Sequence, residues 1–263
     1  MAHGDDPARI TTAAIDAIGG MRRFVRKGAD VIVKPNICAA YHPPEYAATT
    51  NPVVVATLAA LALKAGAKRV RVMDTGFGSP MEEAYRISGI QEAVQSVGGA
   101  VEIMSSFKFV DTDIPQGRSI RSWRVYRDIM AADVVINVPI AKVHSLTPLT
   151  LGGKNLTGVI TDPGQFHGDL GQRVADLVSA VRPALTVIDA YRTLWENGPT
   201  GGKLEYVRQT RQVIASHDIV AADAYAATLF DMKGSDIPYV VAAAKMDLGQ
   251  ADLRRVRIEE ISL

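Results

Sequence analysis

The sequence predicts an α/β fold with a mainly parallel central sheet flanked by helices, and three observations predict it. Short apolar runs of strand length recur between segments with helical spacing. Those runs are apolar throughout instead of alternating, as strands buried on both faces are. Two strands, the apolar run at Lys34 and the alternating KRVRVMD at Asp74, end in a charged residue where the chain turns away from the sheet. With 263 residues and 48% hydrophobic content, the chain can bury a large core, as one α/β domain over residues 1–263 or as two closely packed lobes.

The elements follow in order. Apolar positions at helical spacing from Ile10 to Val25, entered after Asp6-Pro7, predict the first helix. Asp30 to Lys34 (DVIVK) reads as a strand that breaks at Pro35 and continues as Asn36, Ile37 and Cys38. Asn51-Pro52 supplies an N-cap and first turn for a helix through Val53 to Ala65, closed by Gly66. A strand from Lys68 to Asp74 (KRVRVMD) then meets a turn containing Gly76, Gly78 and Pro80, so this stretch makes a parallel βαβ unit. Glu82 to Val97 is helical with a break at Gly89, and Val101 to Met104 is a short strand. Alternation over residues 107–122 predicts a small hairpin at Gln116-Gly117, an excursion from the βα rhythm.

Tyr126 to Ala131 leads helically into the central strand Val134 to Val138, β-branched except at Asn137. Proline has no N–H for the ladder, so this strand is expected to stop at Pro139. His167 to Val181 is helical, and Leu185 to Asp189 (LTVID) is a strand ending in a carboxylate. The polar segment YRTLWENGPTGGK, with Glu196, Asn197 and three glycines, reads as a long loop walling a site. Gln212 to Ser216 is a strand, and Asp218 to Phe230 is a helix with Asp218 near its start and Asp223 one turn in. Leu253 to Ile261 alternates and is expected at a sheet edge.

Composition excludes several classes. Lys+Arg 29 against Asp+Glu 28 gives a net charge of +1, so there is no bulk field for nucleic acid or an acidic membrane surface. Any basic patch is local. The sequence has neither an apolar run of about eighteen residues nor a signal-peptide core, so a soluble, cytoplasmic chain is expected as it stands. The single cysteine, Cys38, precludes an internal disulfide and cannot alone hold an iron–sulfur cluster.

The chemistry is concentrated after the central strand, where Lys142, His144, Lys154 and Asn155 lie within a short span. Gly152 and Gly153 would let the backbone approach a ligand closely. Ligands of open α/β sheets sit beyond the carboxyl ends of the strands, and a second strand ending in lysine, at Lys34, argues for one shared anionic ligand. The same lysines also read as a solvated loop. Asp74 is placed either to face that crevice with Asn36 or to cap a turn. A desolvated lysine serves as nucleophile or base, and a protonated pair serves as an anion clamp. Histidine supplies proton transfer near neutral pH. Lys154, His144, His167 and Lys142 are thus the catalytic candidates, and Lys34, Asn36, Asp74, Gly152, Gly153 and Asn155 the ligand-binding ones. His144 and His167 with Asp189 or Asp74 are the candidate metal ligands. His3, His42 and His217 read as ordinary, with His42 alone near enough to Cys38 to approach the site.

Together the blocks VIVKPNI (31–37), TTNP (49–52), GAKRVRVMD (66–74), ADVVINVPIAKVH (132–144), GGKNLTGVI (152–160), VIDA (187–190), NGPTGG (197–202) and DIVAADA (218–224) resemble the DUF362 family of uncharacterised proteins, over almost the whole chain. Some members of that family carry ferredoxin-type cluster domains. The resemblance implies a short strand before the GDDPA block, which this chain is expected to lack; a longer precursor with an export signal is compatible with that.

The central loop is also similar to the lactate racemase (LarA-type) family. His144 precedes Lys154 by ten residues, with Gly152-Gly153 before the lysine and Gly158-Val159-Ile160 after it. That resemblance implies a lysine tethering a nickel-pincer nucleotide and histidines acting as acid/base and metal ligand, with His167 as the downstream histidine. Two features depart from it. The turn Asp74 to Pro80 carries no histidine, and Lys34-Pro35-Asn36 replaces a phosphate-gripping Asp/Arg turn.

Two functions are therefore expected. One is an enzyme acting on a small anionic organic molecule by isomerase- or racemase-like proton transfer or by a redox step, with a metal ion or nucleotide-like cofactor. The other is a noncatalytic accessory module with an iron–sulfur protein partner. A homo-oligomer is compatible with both.

Overall fold

The structure is a computed structural model and describes residues 1–39, 41–77 and 80–263; Gly78 of the predicted turn lies outside them. The first half runs β1 (Ala2–His3), α1 (Pro7–Ala17), β2 (Asp30–Pro35), α2 (Pro52–Ala65), β3 (Arg69–Val72), α3 (Met81–Ile87), α4 (Ile90–Ser96) and β4 (Ala100–Val101). A hairpin, β5 (Phe109–Asp113) and β6 (Ser122–Tyr126), and α5 (Arg127–Ala131) lead into β7 (Val134–Val138), β8 (Ile140–Val143) and β9 (Leu149–Thr150). Then come α6 (Gly152–Asn155), α7 (Pro163–Phe166), α8 (Leu170–Val181), β10 (Leu185–Leu194) and β11 (Val207–Arg208). The chain closes with β12 (Gln212–Ser216), α9 (Ile219–Thr228), α10 (Pro238–Lys245) and β13 (Ile261–Ser262).

One sheet joins both halves in the order β13-β1-β12-β10-β7-β2-β3-β4. The run from β10 through β7, β2 and β3 to β4 is parallel, and β12 is antiparallel to both its neighbours. Strand alternation splits the apolar residues between two cores. Val31, Val33, Val134, Ile136 and Val187 pack beneath α1, α2 and α4, whereas Ile32, Val135 and Ile188 face α8, α9, α10 and the hairpin. Every residue of β2 and β7 is buried, which is why both read as apolar runs without alternation.

Helix signals are confirmed at their ends. Asn51 accepts from the Val53 N–H and Gly66 closes α2 in the left-handed region at φ 109°. Asp6 caps α1 through the Ala8 and Arg9 N–H groups, and Asp218 caps α9 through Ala221. The predicted break at Gly89 separates α3 from α4. The predicted hairpin forms its own two-stranded sheet.

Several expectations are corrected. The first helix ends at Ala17, because Gly19 and Gly20 both take positive φ and start a separate turn. The chain does not become a loop at Pro139: it resumes as β8, paired to β10 and β9, since one missing N–H interrupts a ladder without ending the extended path. Likewise β10 does not stop at Asp189 but continues to Leu194, shortening the predicted loop. The short strand β4 ends at Val101. Leu253 to Ile261 is mostly irregular, with only Ile261–Ser262 adding to the edge. Against expectation, a short initial strand is present as β1, paired to β12 and β13. No helix among the described residues is long and apolar enough to cross a membrane.

Candidate functional site

Beyond the carboxyl ends of β2, β3 and β7, where α6 and the segment after β10 converge, lies a cleft of about 600 Å³. Its lining includes Lys34, Asn36, Cys38, Asp74, Lys142, His144, Lys154, Asn155 and His167, so the predicted lysine and histidine candidates meet in one place. Phe77, Leu146, Ile160 and Pro163 add apolar wall.

The floor is a closed polar network. Lys34 Nζ donates to Asp74 Oδ1 at 2.6 Å, to Pro35 O at 3.0 Å and to Asn155 Oδ1 at 3.3 Å, with no exposure of its own. Burial pushes the Lys34 amine down and the Asp74 carboxyl up, and each partner's charge opposes that shift in the other. The three acceptors on Lys34, and the Ile37 N–H on Asp74 Oδ2 at 2.7 Å, match a charged pair. Tyr85 adds its hydroxyl, which accepts from the Asp74 N–H at 2.6 Å. Gly158 presses on the same pair: a Cβ there would stand 2.1 Å from Asp74 Oδ1. Asn155 ties the strands together, its Nδ2 donating to Asn137 Oδ1 at 2.9 Å while its Oδ1 accepts from Asn36 Nδ2 at 3.0 Å.

Lys142 is equally saturated. Its Nζ donates to Asn36 Oδ1 at 2.9 Å, Ala48 O at 2.6 Å and Pro199 O at 2.8 Å, so all three ammonium protons are used. Burial lowers its pKa. These three bonds hold a positive charge that no carboxylate neutralises among the described residues.

Lys154 differs. The residue is only 8% exposed, lines the cleft, and among the described residues its Nζ has one bond, to Thr157 Oγ1 at 3.1 Å. Burial, then the charges of Lys142 and Lys34, bring its pKa down to about 8. His144, half-buried, accepts the Leu146 N–H on Nδ1 at 3.0 Å, which places its ring proton on Nε2. Burial and the neighbouring Lys154 and Lys142 lower its pKa to about 3. The pKa of His167 is also lowered, by burial and by Lys154. The buried hydroxyl of Thr150, without a partner among the described residues, completes the wall.

Some roles read from the sequence change. Gly152 and Gly153 do not turn toward a ligand: their N–H groups donate to Asp223 at 2.6 and 2.8 Å, and a Cβ on Gly152 would meet that carboxylate at 2.7 Å. Burial raises the Asp223 pKa to about 7. Lys34 is not a free clamp, because Asp74 already answers it. Lys142 and Lys154 do not sit on a solvated loop; they lie on β8 and on α6. His144 is held neutral and so cannot take up a proton near neutral pH. Asp189 lies outside the cleft lining, accepting from the Asn51 and Tyr191 N–H groups, and no set of three His, Cys, Asp or Glu side chains able to hold a metal occurs among the described residues. His42 stacks on Tyr46 with ring centroids 4.4 Å apart, and His3 and His217 lie elsewhere. Sequence reasoning gave no role to Tyr85, Thr157, Pro199, Gly158 or Asp223. The one signal available was Asn137, a polar residue inside an apolar strand, whose amide donates to Gly152 O at 2.9 Å.

Fold and cleft together define a class: an open, mainly parallel α/β protein with a lysine-lined cleft at the carboxyl ends of its central strands. Residues 31–228 match the family described as a domain of unknown function, DUF362, and the chain belongs to that family. It is similar to a thylakoid-associated protein of Synechocystis, 28% identical over 244 residues that cover 89% of this chain and 73% of that protein. Among solved structures it is similar to the lactate racemase apoprotein of Thermoanaerobacterium thermosaccharolyticum, with a TM-score of 0.51, 11% identity and 82% of this chain covered. The match spans 53% of that racemase, about half its length, so the likeness is one of fold.

The side chains present do not fit a nickel-pincer nucleotide. The described part of the 74–80 turn carries no histidine, His144 Nδ1 is already occupied, and Lys34 and Asn36 are spent on internal bonds.

Proposed function

We propose that this protein is an enzyme that binds an anionic organic molecule in the cleft and moves a proton on it. One observation carries the reading: among the described residues, of three lysines facing one carboxylate, Lys34 and Lys142 have every ammonium proton engaged, while Lys154 keeps two free and faces open space. Lys34 is offset by Asp74, so Lys142 supplies the fixed positive charge and Lys154 the titrating group. An amine with a pKa of about 8 is matched to proton transfer near neutral pH. His144 contributes an Nε2–H donor to the ligand. The apolar wall of Phe77, Leu146, Ile160 and Pro163 suits a ligand whose anionic head sits on the lysines and whose body is carbon-rich. The fold shared with a lactate racemase apoprotein makes 2-hydroxy acids the first compounds to test.

The test combines binding with chemistry. At about a hundredfold excess over its dissociation constant, a ligand that binds only the folded state adds about 2.7 kcal/mol. For a chain of this size that is roughly 5 to 11 °C of melting temperature, and added salt reduces it. Carboxylate and phosphate ligands should raise the melting temperature of the parent and not of Lys154→Met. In D2O, proton transfer appears as loss of the α-proton signal of a bound 2-hydroxy acid. A flat response to every anion, on protein free of co-purified ligand, overturns the reading.

A further inference from the structure

We propose that Lys154 is a carbonyl-directed nucleophile, which condenses with the aldehyde or keto group of an anionic oxo acid to form a Schiff base inside the cleft. This rests on the reading of the cleft as an anion site and adds a covalent step to it.

The geometry is that of a reactive amine held among spent ones. Lys34 and Lys142 are fully hydrogen-bonded and cannot leave their oxygens without exposing buried charge. With Lys34 offset by Asp74, Lys142 serves as the fixed positive charge. Lys154 stands beside them with no carboxylate partner among the described residues and a single hydroxyl, Thr157, on its Nζ. Like charges in a partly desolvated cleft disfavour the ammonium and favour the free amine, and a carboxylate drawn in by Lys142 would bring its own carbonyl carbon to that amine. The lowered pKa of Lys154, to about 8, agrees with this placement.

In the step, the Nζ lone pair forms a bond to the carbonyl carbon while the C=O π pair moves to oxygen, giving a carbinolamine. Loss of that oxygen as water then forms the C=N bond. Two of the three ammonium protons leave in the water, and the iminium keeps the third together with the positive charge, so nothing is oxidised or reduced. The Nε2–H of His144 can bond the carbinolamine oxygen, and the iminium acidifies the neighbouring C–H.

The full chain is incubated separately with glyoxylate, pyruvate and pyridoxal 5′-phosphate in the presence of sodium cyanoborohydride, which fixes any imine as a secondary amine, and modified peptides are located by mass spectrometry. Exposed Lys64, which makes no ion pair among the described residues, is the internal reference. With at least one probe, Lys154 should be labelled about tenfold or more faster, since near pH 7 an amine with a pKa of about 8 holds a far larger neutral fraction than an ordinary lysine near 10.4. Lys154→Arg should lose the cleft label while keeping the labelling of Lys64. Labelling of Lys154 no faster than that of Lys64 with all three probes overturns the proposal. If anions still stabilise the protein in that case, the covalent step fails alone; if they do not, the anion site fails with it.

Discussion

Replacing Asp74 by asparagine removes the negative half of the Lys34–Asp74 pair while keeping the size of the side chain. Lys34 has no exposure and stands 2.6 Å from the carboxylate. Its remaining partners, Pro35 O at 3.0 Å and Asn155 Oδ1 at 3.3 Å, are neutral. The ammonium is thus left buried without a counter-charge, or gives up its proton. Breaking a buried pair from one side costs about 3–5 kcal/mol, and at roughly 2–4 °C per kcal/mol for a chain of this length the melting temperature should fall by about 6–20 °C. Removing both charges together, in Lys34→Met with Asp74→Leu, should recover most of that loss, because an apolar pair of similar volume has no desolvation penalty. Differential scanning calorimetry at pH 7 on the parent, the single and the double variants decides it. A single variant within about 1 kcal/mol of the parent, or a double variant no more stable than the single, would refute the claim that this pair is charged and mutually dependent.

Two other expectations concern pH. Folding raises the pKa of Asp223 from 3.8 to about 7 through burial, so the folded state binds the proton more tightly than the unfolded chain. Stability is then greatest below pH 3.8 on this account and is lost as pH climbs toward 7, by about 4 kcal/mol in all. Asp223→Asn should melt with a flatter profile between pH 4 and 7.5; an unchanged difference from the parent across that window contradicts it. His144 has the opposite sign, since folding lowers its pKa from 6.5 to about 3. Its contribution is present above pH 6.5 and drains away as pH falls toward 3, so His144→Gln should lose less stability than the parent between pH 7 and 4.5. Parallel profiles for the two proteins would place the histidine in an ordinary solvated setting.

What the sequence by itself determined is the sheet and its site-bearing end. A strand buried on both faces must be apolar throughout, so DVIVK and the run Val134 to Val138 could be recognised without knowing their neighbours. The helix α2 is equally local: Asn51, Pro52 and Gly66 set its ends by hydrogen bonding and φ alone. Convergence of Lys34, Asp74, Lys142, His144, Lys154 and His167 followed from the rule that parallel strands present their carboxyl ends together. The tertiary structure decided which of these groups are free. Whether a lysine is a clamp, a buttress or a nucleophile depends on oxygens far away in the chain, such as Ala48 and Pro199 around Lys142, and no local pattern announces a backbone carbonyl. The Gly152-Gly153 pair was legible as a close approach, but its partner, Asp223, lies some seventy positions on. Desolvation is likewise a property of the assembled cleft, so the sequence could name Lys154 and His144 while only their packing lowered the pKa of the amine to about 8 and of the imidazole to about 3.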